Sequence, residues 1–256
     1  MKAMKKLFAG LMMFTLIFSI SFVGSAFASG NEVKLIDSNV SVIYKPGYVG
    51  FSGNIEVANL GPVKKVSVHY TTDDSKWYDT NAVYVGPTDA QHEKWHFNIS
   101  TNGSTTEHSE LKDLKFIKYA IKYEVNGQTY WDNNGSENYY NEVNGIYPIT
   151  SVVLGQSTNV LNASSTLNDG TFSGSVYVKN LNPTKTVKIE YTTDNWATKH
   201  EGTATYAGPL NNFHSVESWN FSIPVPDAAE VQYAISLTTG GQTYWDNNYG
   251  ANYVVH

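Results

Sequence analysis

The sequence predicts an all-β protein made of two tandem immunoglobulin-like antiparallel β-sandwich domains. The first observation behind this is alternation. Ile117-Lys118-Tyr119-Ala120-Ile121-Lys122-Tyr123-Glu124-Val125 and Val187-Lys188-Ile189-Glu190-Tyr191 place apolar side chains at every second position, the period of a half-buried strand, and little of the chain has the 3.6-residue period of a helix. The second is punctuation. Gly, Asn, Asp and Pro cluster about every 8 to 12 residues, as in Thr72-Asp73-Asp74-Ser75, Val85-Gly86-Pro87 and Asn126-Gly127-Gln128, which are turn-forming stretches. The third is repetition. Phe51-Ser52-Gly53 returns as Phe172-Ser173-Gly174 and Tyr70-Thr71-Thr72-Asp73 as Tyr191-Thr192-Thr193-Asp194, both at an offset of 121. Gln128-Thr129-Tyr130-Trp131-Asp132-Asn133-Asn134 returns as Gln242-Thr243-Tyr244-Trp245-Asp246-Asn247-Asn248 at an offset of 114. A repeat of that length is a whole domain.

Taken in chain order, residues 1–28 read as an export signal. Lys2, Lys5 and Lys6 precede an apolar run from Leu7 to about Val23, and Ala26-Phe27-Ala28 supplies the small-x-small pattern that places cleavage after Ala28. The expected location is therefore secreted and extracellular, with no membrane association after signal cleavage. Residues 31–147 form the first copy, Asn144-Gly145-Ile146-Tyr147-Pro148 reads as a short linker, and residues 149–256 form the second copy. Basic residues number 17 and all are lysine; without the three leader lysines the formal charge moves from −6 to −9. An acidic chain without a guanidinium group is poorly suited to phosphate or base-edge recognition, which sets nucleic acid aside as a partner. Cysteine is absent, so disulfides and thiol chemistry are excluded.

The six tryptophans fall into three pairs. Trp95 and Trp219 alternate with polar neighbours and share the face of Phe97 and Phe221, so both belong to the core. Trp77 and Trp196 each sit in a polar turn, Asp73 to Asp79 and Asp194 to Lys199, with no apolar alternation to bury them, which points to platforms for a ligand. Trp131 and Trp245 are each followed by Asp-Asn-Asn. An indole beside carboxylate and amide groups suits a sugar ring, whose C–H face lies on the indole while its hydroxyls meet planar polar side chains; the same Asp-Asn-Asn can equally form an Asx turn.

With these residues together, the chain resembles the family 21 carbohydrate-binding modules, starch- and glycogen-binding β-sandwiches of fungal glucoamylases and of glycogen-targeting subunits of protein phosphatase 1. The resemblance rests on Phe172-Ser173-Gly174, Thr193-Asp194-Asn195-Trp196 and Tyr244-Trp245-Asp246-Asn247-Asn248, together with their counterparts in the first copy. It implies an α-glucan polysaccharide as partner. It also implies one main site per copy, carried by Trp77, Trp131, Asp132, Asn133 and Asn134 and by Trp196, Trp245, Asp246, Asn247 and Asn248. A further aromatic of that site falls at Ala120 and Ala234, with Tyr119 and Tyr233 adjacent. The family's second site maps to Tyr84 with Lys64 and to Tyr206 with Lys185; it is expected to be weakened, because Gly61-Pro62 and Asn182-Pro183 stand where its other aromatic belongs.

No cofactor or metal is expected. Asp132 and Asp246 are the only acids within the duplicated Gln-Thr-Tyr-Trp-Asp-Asn-Asn motif, so that motif supplies no carboxylate pair of a glycosidase, and a non-catalytic binding protein is the expectation. A role beside a secreted amylase would fit an exported starch binder. The competing reading is a surface adhesin or structural protein that holds another cell-wall glycan.

Overall fold

The computed structural model describes residues 32–43, 47–143 and 149–256; the expected leader and the linker residues Tyr147 and Pro148 lie outside them. The first copy contains β1 (Val33–Ile43), β2 (Tyr48–Ala58), β3 (Lys64–Thr71), β4 (Trp77–Asn81), β5 (Val83–Pro87), β6 (His92–Thr101), β7 (Phe116–Val125), β8 (Gln128–Asp132) and β9 (Tyr139–Glu142). The strand β10 (Ile149–Leu154) follows. The second copy contains β11 (Val160–Asn168), β12 (Thr171–Lys179), β13 (Lys185–Thr192), β14 (His200–Thr203), β15 (Thr205–Pro209), β16 (Val216–Pro224), β17 (Val231–Thr239), β18 (Gln242–Asp246) and β19 (Tyr253–Val255).

Each copy is a two-sheet antiparallel sandwich. In the first, the order β10-β1-β2-β6-β5 faces β4-β3-β7-β8, with β9 also on β7. In the second, β11-β12-β16-β15 faces β14-β13-β17-β18, with β19 also on β17. Phe51 is the hub of the first core, with Phe97 at 4.9 Å and Tyr119 at 5.0 Å between ring centroids. Phe172 repeats this with Phe221 at 4.9 Å and Tyr233 at 4.8 Å. The glycine of each Phe-Ser-Gly motif makes room for this packing: a Cβ on Gly53 would lie 2.7 Å from the Phe97 ring and 2.4 Å from the Asp37 carbonyl, and Gly174 is confined in the same way by Phe221 and Ser164. The motif thus records a close approach of ring and backbone.

The repeat assigns Ile149–Leu154 to the second copy, but β10 is an edge strand of the first sandwich, paired with β1 from Asp37↔Leu154 to Val42↔Ile149. Its other edge holds the second sandwich: Val152 N donates to the Leu210 carbonyl at 3.0 Å, and Asn211 Nδ2 donates to the Val152 carbonyl at 2.8 Å. Val152 and Leu154 are buried against Val216, with Leu161, Tyr177 and Leu210 packed around them. The chain then turns at Gly155, where a Cβ would sit 1.7 Å from the Leu35 carbonyl, so no larger residue fits. Lys179 Nζ donates to the Gly155 and Gln156 carbonyls at 2.6 and 3.0 Å, and burial lowers its pKa to about 8. The two sandwiches are therefore docked through a shared strand and a small apolar core of their own.

Candidate carbohydrate-binding sites

Antiparallel pairing sets the face on which each side chain stands. In the first copy Thr71 pairs with Trp77, His69 with Asp79 and Ala120, and Lys122 with Trp131, so all of these share the outer face of the β4-β3-β7-β8 sheet. Trp77 stacks on His69 with ring centroids 4.7 Å apart and planes 11° apart. His69 in turn meets Trp131 edge-on at 5.8 Å. The imidazole thus joins two tryptophans that come from opposite edges of the sheet. The rim of this aromatic shelf is polar: Asp79 Oδ1 lies 2.8 Å from His69 Nδ1, and Lys122 Nζ sits 5.9 Å from the Trp131 ring centre while pairing with Glu124 at 3.1 Å. Sequence reasoning missed His69, Asp79 and Lys122. The signal available was their alternation phase, which matches that of the outward tryptophans.

The second copy builds its site differently. Trp245 pairs with Ser236 on the corresponding face and is 49% exposed. Glu190 occupies the position of His69 and is ion-paired with Lys199, so no imidazole bridges the platform. Trp77 opens a strand, whereas Trp196 lies within the turn, at φ 68, with its amide donating to Thr192 Oγ1 at 3.0 Å. The polar-turn expectation therefore describes Trp196 and not Trp77. Ala120 and Ala234 are buried, and Tyr119 and Tyr233 are fully enclosed in the cores, so neither tyrosine can stand in for the missing aromatic.

The Asp-Asn-Asn segments are braced from within. Asp132 accepts from Leu35 N at 2.7 Å, from the Tyr139 hydroxyl at 2.8 and 3.0 Å, and from Asn134 N at 3.2 Å. Asp246 does the same with Asn162 N at 2.6 Å, Tyr253 and Asn248 N. Burial raises the Asp246 pKa, with the Asn162 amide and the Tyr253 hydroxyl opposing it. Each carboxylate thus latches the end of one sheet to the first strand of the other. Asn133 and Asn247 use their Oδ1 to accept from Ser136 N and Gly250 N, both at 3.0 Å. Asn134 and Asn248 hold left-handed backbone at φ 54 and 50 and donate Nδ2 to the Asn138 and Asn252 carbonyls. Among the described residues the amide donors of Asn133 and Asn247 and the Oδ1 acceptors of Asn134 and Asn248 remain open to a ligand.

The second-site residues divide. Tyr84 and Tyr206 are 53% and 55% exposed and lie edge-on to Trp95 and Trp219 at 5.8 and 5.9 Å. Lys64 and Lys185 instead have nearly buried side chains, ion-paired with Glu93 at 2.9 Å and Glu217 at 3.1 Å. The other oxygen of each glutamate accepts from the indole of Trp95 or Trp219. Each lysine therefore supports the tryptophan beneath the exposed tyrosine. Trp95 and Trp219 are half-buried against their cores. Among the described residues, no group of three or more His, Asp or Glu side chains could hold a metal ion, and no helix is long and apolar enough to cross a membrane.

Residues 30–142 and 154–256 match the carbohydrate/starch-binding module of family 21. Over 94 residues the chain is 38% identical to glucoamylase 1 of Rhizopus oryzae, covering 35% of this chain and 14% of the glucoamylase. It is 30% identical over 96 residues to protein phosphatase 1 regulatory subunit 3C of Clarias batrachus, covering 36% of this chain and 34% of the subunit. It thus spans about a third or less of the length of these curated relatives. Among solved structures, the starch binding domain of the Rhizopus oryzae glucoamylase, in complex with beta-cyclodextrin and maltoheptaose, is 33% identical, with 40% of this chain and 95% of that chain covered and a TM-score of 0.34. With both copies matched over their length, the chain belongs to the carbohydrate/starch-binding modules of family 21 and carries two of them in tandem.

Proposed function

We propose that the protein is an exported, non-catalytic binder of α-glucan, starch or glycogen, acting in the vicinity of enzymes that degrade such polymers. The observation that carries the reading is the Trp77–His69–Trp131 shelf, an apolar surface with a rim of hydrogen-bonding groups, which matches the two-sided chemistry of a glucose unit. Two facts support a non-catalytic role: the duplicated carboxylates Asp132 and Asp246 are committed to internal donors, and the shelf is an open face rather than a water-excluding cleft. Export rests on the leader sequence.

The test is adsorption to granular starch, with cellulose, chitin and peptidoglycan as controls and release of reducing sugar monitored. Each indole offers roughly 100 Å² to a sugar, so at ~25 cal/mol/Å² its removal costs about 2 kcal/mol per site, close to thirtyfold. Trp131→Ala combined with Trp245→Ala should abolish retention while circular dichroism stays unchanged. Undiminished retention by the folded double variant would refute the assignment, sugar release would make the protein an enzyme, and preference for peptidoglycan would make it an adhesin.

A further inference from the structure

The second copy's Trp245, though 49% exposed, stands opposite the first copy. It lines a cleft of about 980 Å³ between the two sandwiches, together with Asn247, Asn248 and Tyr249, and the opposite wall is the outer face of the β1-β2-β6 sheet of the first copy. Cross-strand pairing sets Asp37, Asn54 and His96 in one row of that wall and Lys34, Glu56 and Lys94 in the next. The volume lies at the upper end of the roughly 300–1,000 Å³ typical of ligand pockets. These two rows are polar, with Ile36, Val85 and Pro87 beside them, so the cleft offers an indole on one side and hydrogen-bonding groups on the other. That is the environment a sugar ring requires, and it is unsuited to a wholly apolar guest.

Three features indicate that the wall is built to take part. Asn54 Nδ2 donates to Asp37 Oδ1 at 2.8 Å and Asn54 Oδ1 lies 3.2 Å from His96 Nδ1, which fixes the row and leaves the far nitrogen of His96 free to face the cleft. Lys94 has no ion-pair partner among the described residues and lines the cleft, where its charge acts on Asp37 of the first copy and Asp246 of the second. Glu56 is 3% exposed; Lys34 binds its Oε1, while Oε2 has no hydrogen-bond partner. Tyr249 lines the cleft with this carboxylate, and burial, with the charge of Glu56, raises its hydroxyl pKa.

Tyr249 is peculiar to the second copy. Gly135 occupies the position in the first copy, at φ 71, and Tyr249 holds φ 58, a left-handed conformation that is costly for a residue with a Cβ. The first copy places its non-glycine residue one position later, Ser136 at φ 83 against Gly250 at φ 91, so what distinguishes the second copy is an aromatic side chain where the loop lines the cleft.

We propose that the second module's glucan site is a composite cleft, in which an α-glucan segment lying on Trp245 is also held by Lys94 and His96 of the first module. The inference rests on the α-glucan reading of Trp245. The first module's own shelf is silenced with Trp77→Ala and Trp131→Ala in the full chain, and maltoheptaose is titrated calorimetrically. In that background, adding Lys94→Ala with His96→Ala should weaken binding at least fivefold with an unchanged melting temperature. Unchanged affinity, with Trp245→Ala abolishing binding, would overturn the composite cleft and leave the glucan reading standing. Unchanged affinity on Trp245→Ala would remove the glucan reading of this site, and the cleft with it. If the double wall variant unfolds, Lys94→Gln alone decides: binding should weaken at least threefold, and full affinity would overturn the proposal.

Discussion

Asp132 accepts from the Leu35 amide, the Tyr139 hydroxyl and the Asn134 amide, and the first two donors belong to buried residues. Removing the carboxylate leaves both without a partner, and a buried unsatisfied donor costs about 1–3 kcal/mol. Asp132→Ala should therefore lower the unfolding free energy by about 3 kcal/mol in denaturant titration, while the folded fraction keeps its maltoheptaose affinity within threefold. A stable Asp132→Ala protein that no longer binds would instead make the carboxylate a sugar ligand. The residue types explain why the sequence left this open. Asp and Asn serve sugar hydroxyls and Asx turns with the same atoms, so Tyr-Trp-Asp-Asn-Asn identifies the place but not the division of labour between its side chains. Lys64 and Lys185 posed the same problem: a lysine near an exposed tyrosine reads as a ligand contact until Glu93 and Glu217 come next to it from a distant strand. The cores were legible because period-two alternation reports burial directly, as Phe97, Tyr119, Phe221 and Tyr233 show.

The turns between β3 and β4 and between β13 and β14 show how one motif yields two geometries. Both begin Thr-Thr-Asp, and in both the aspartate gathers donors from the turn. The Asp73 pKa is lowered to about 2 by the Lys76 and Ser75 amides, and that of Asp194 to about 2 by the Thr198 hydroxyl and amide and the Thr192 hydroxyl. The second turn then diverges, putting Trp196 in the bend while the strand it feeds starts at His200. That divergence was hidden because the shared letters end at the aspartate. Since the folded pKa of Asp194 is depressed from 3.8, its contribution to stability is complete above about pH 3.8 and is lost as the pH falls toward 2. Asp37 and Asp246, whose pKa values burial raises, act in the opposite sense, in a window above 3.8. The pKa values of Asp89, Glu110 and Glu201 are lowered as well, so it is the comparison of variant with parent between pH 4 and pH 2 that isolates the Asp194 turn. Thermal melts across that interval should show a smaller loss of stability in Asp194→Ala than in the parent protein; equal losses would mean that the turn contributes nothing to folding.

At the scale of the whole molecule, β10 replaces a flexible tether by a fixed junction, with one edge bonded to β1 and the other to the Leu210–Asn211 segment. Tandem weak sites gain from linkage only when one polymer can engage both. A shallow site with two aromatic contacts should bind short maltooligosaccharides with a dissociation constant on the order of 0.1–1 mM, too weak for retention alone. Linkage makes the second encounter intramolecular, and an effective concentration in the mM range raises retention on a long chain by about 10²-fold. A fixed junction sharpens this condition, because the spacing and orientation of the two sites cannot adapt to the polymer. The branched, folded surface of a starch granule offers many chain geometries and can meet it, whereas a single short oligosaccharide cannot. Trp196→Ala with Trp245→Ala should therefore leave the affinity of the first module for maltoheptaose within twofold, since its Trp77–His69–Trp131 shelf is untouched, and weaken adsorption to granular starch at least tenfold. Depletion isotherms on starch granules, run beside calorimetry on the same two proteins, separate these quantities. Equal adsorption of the half-disabled and intact proteins would mean that the docked geometry forbids simultaneous engagement, in which case β10 holds the second module for the cleft it forms with the first rather than for reach along the polymer.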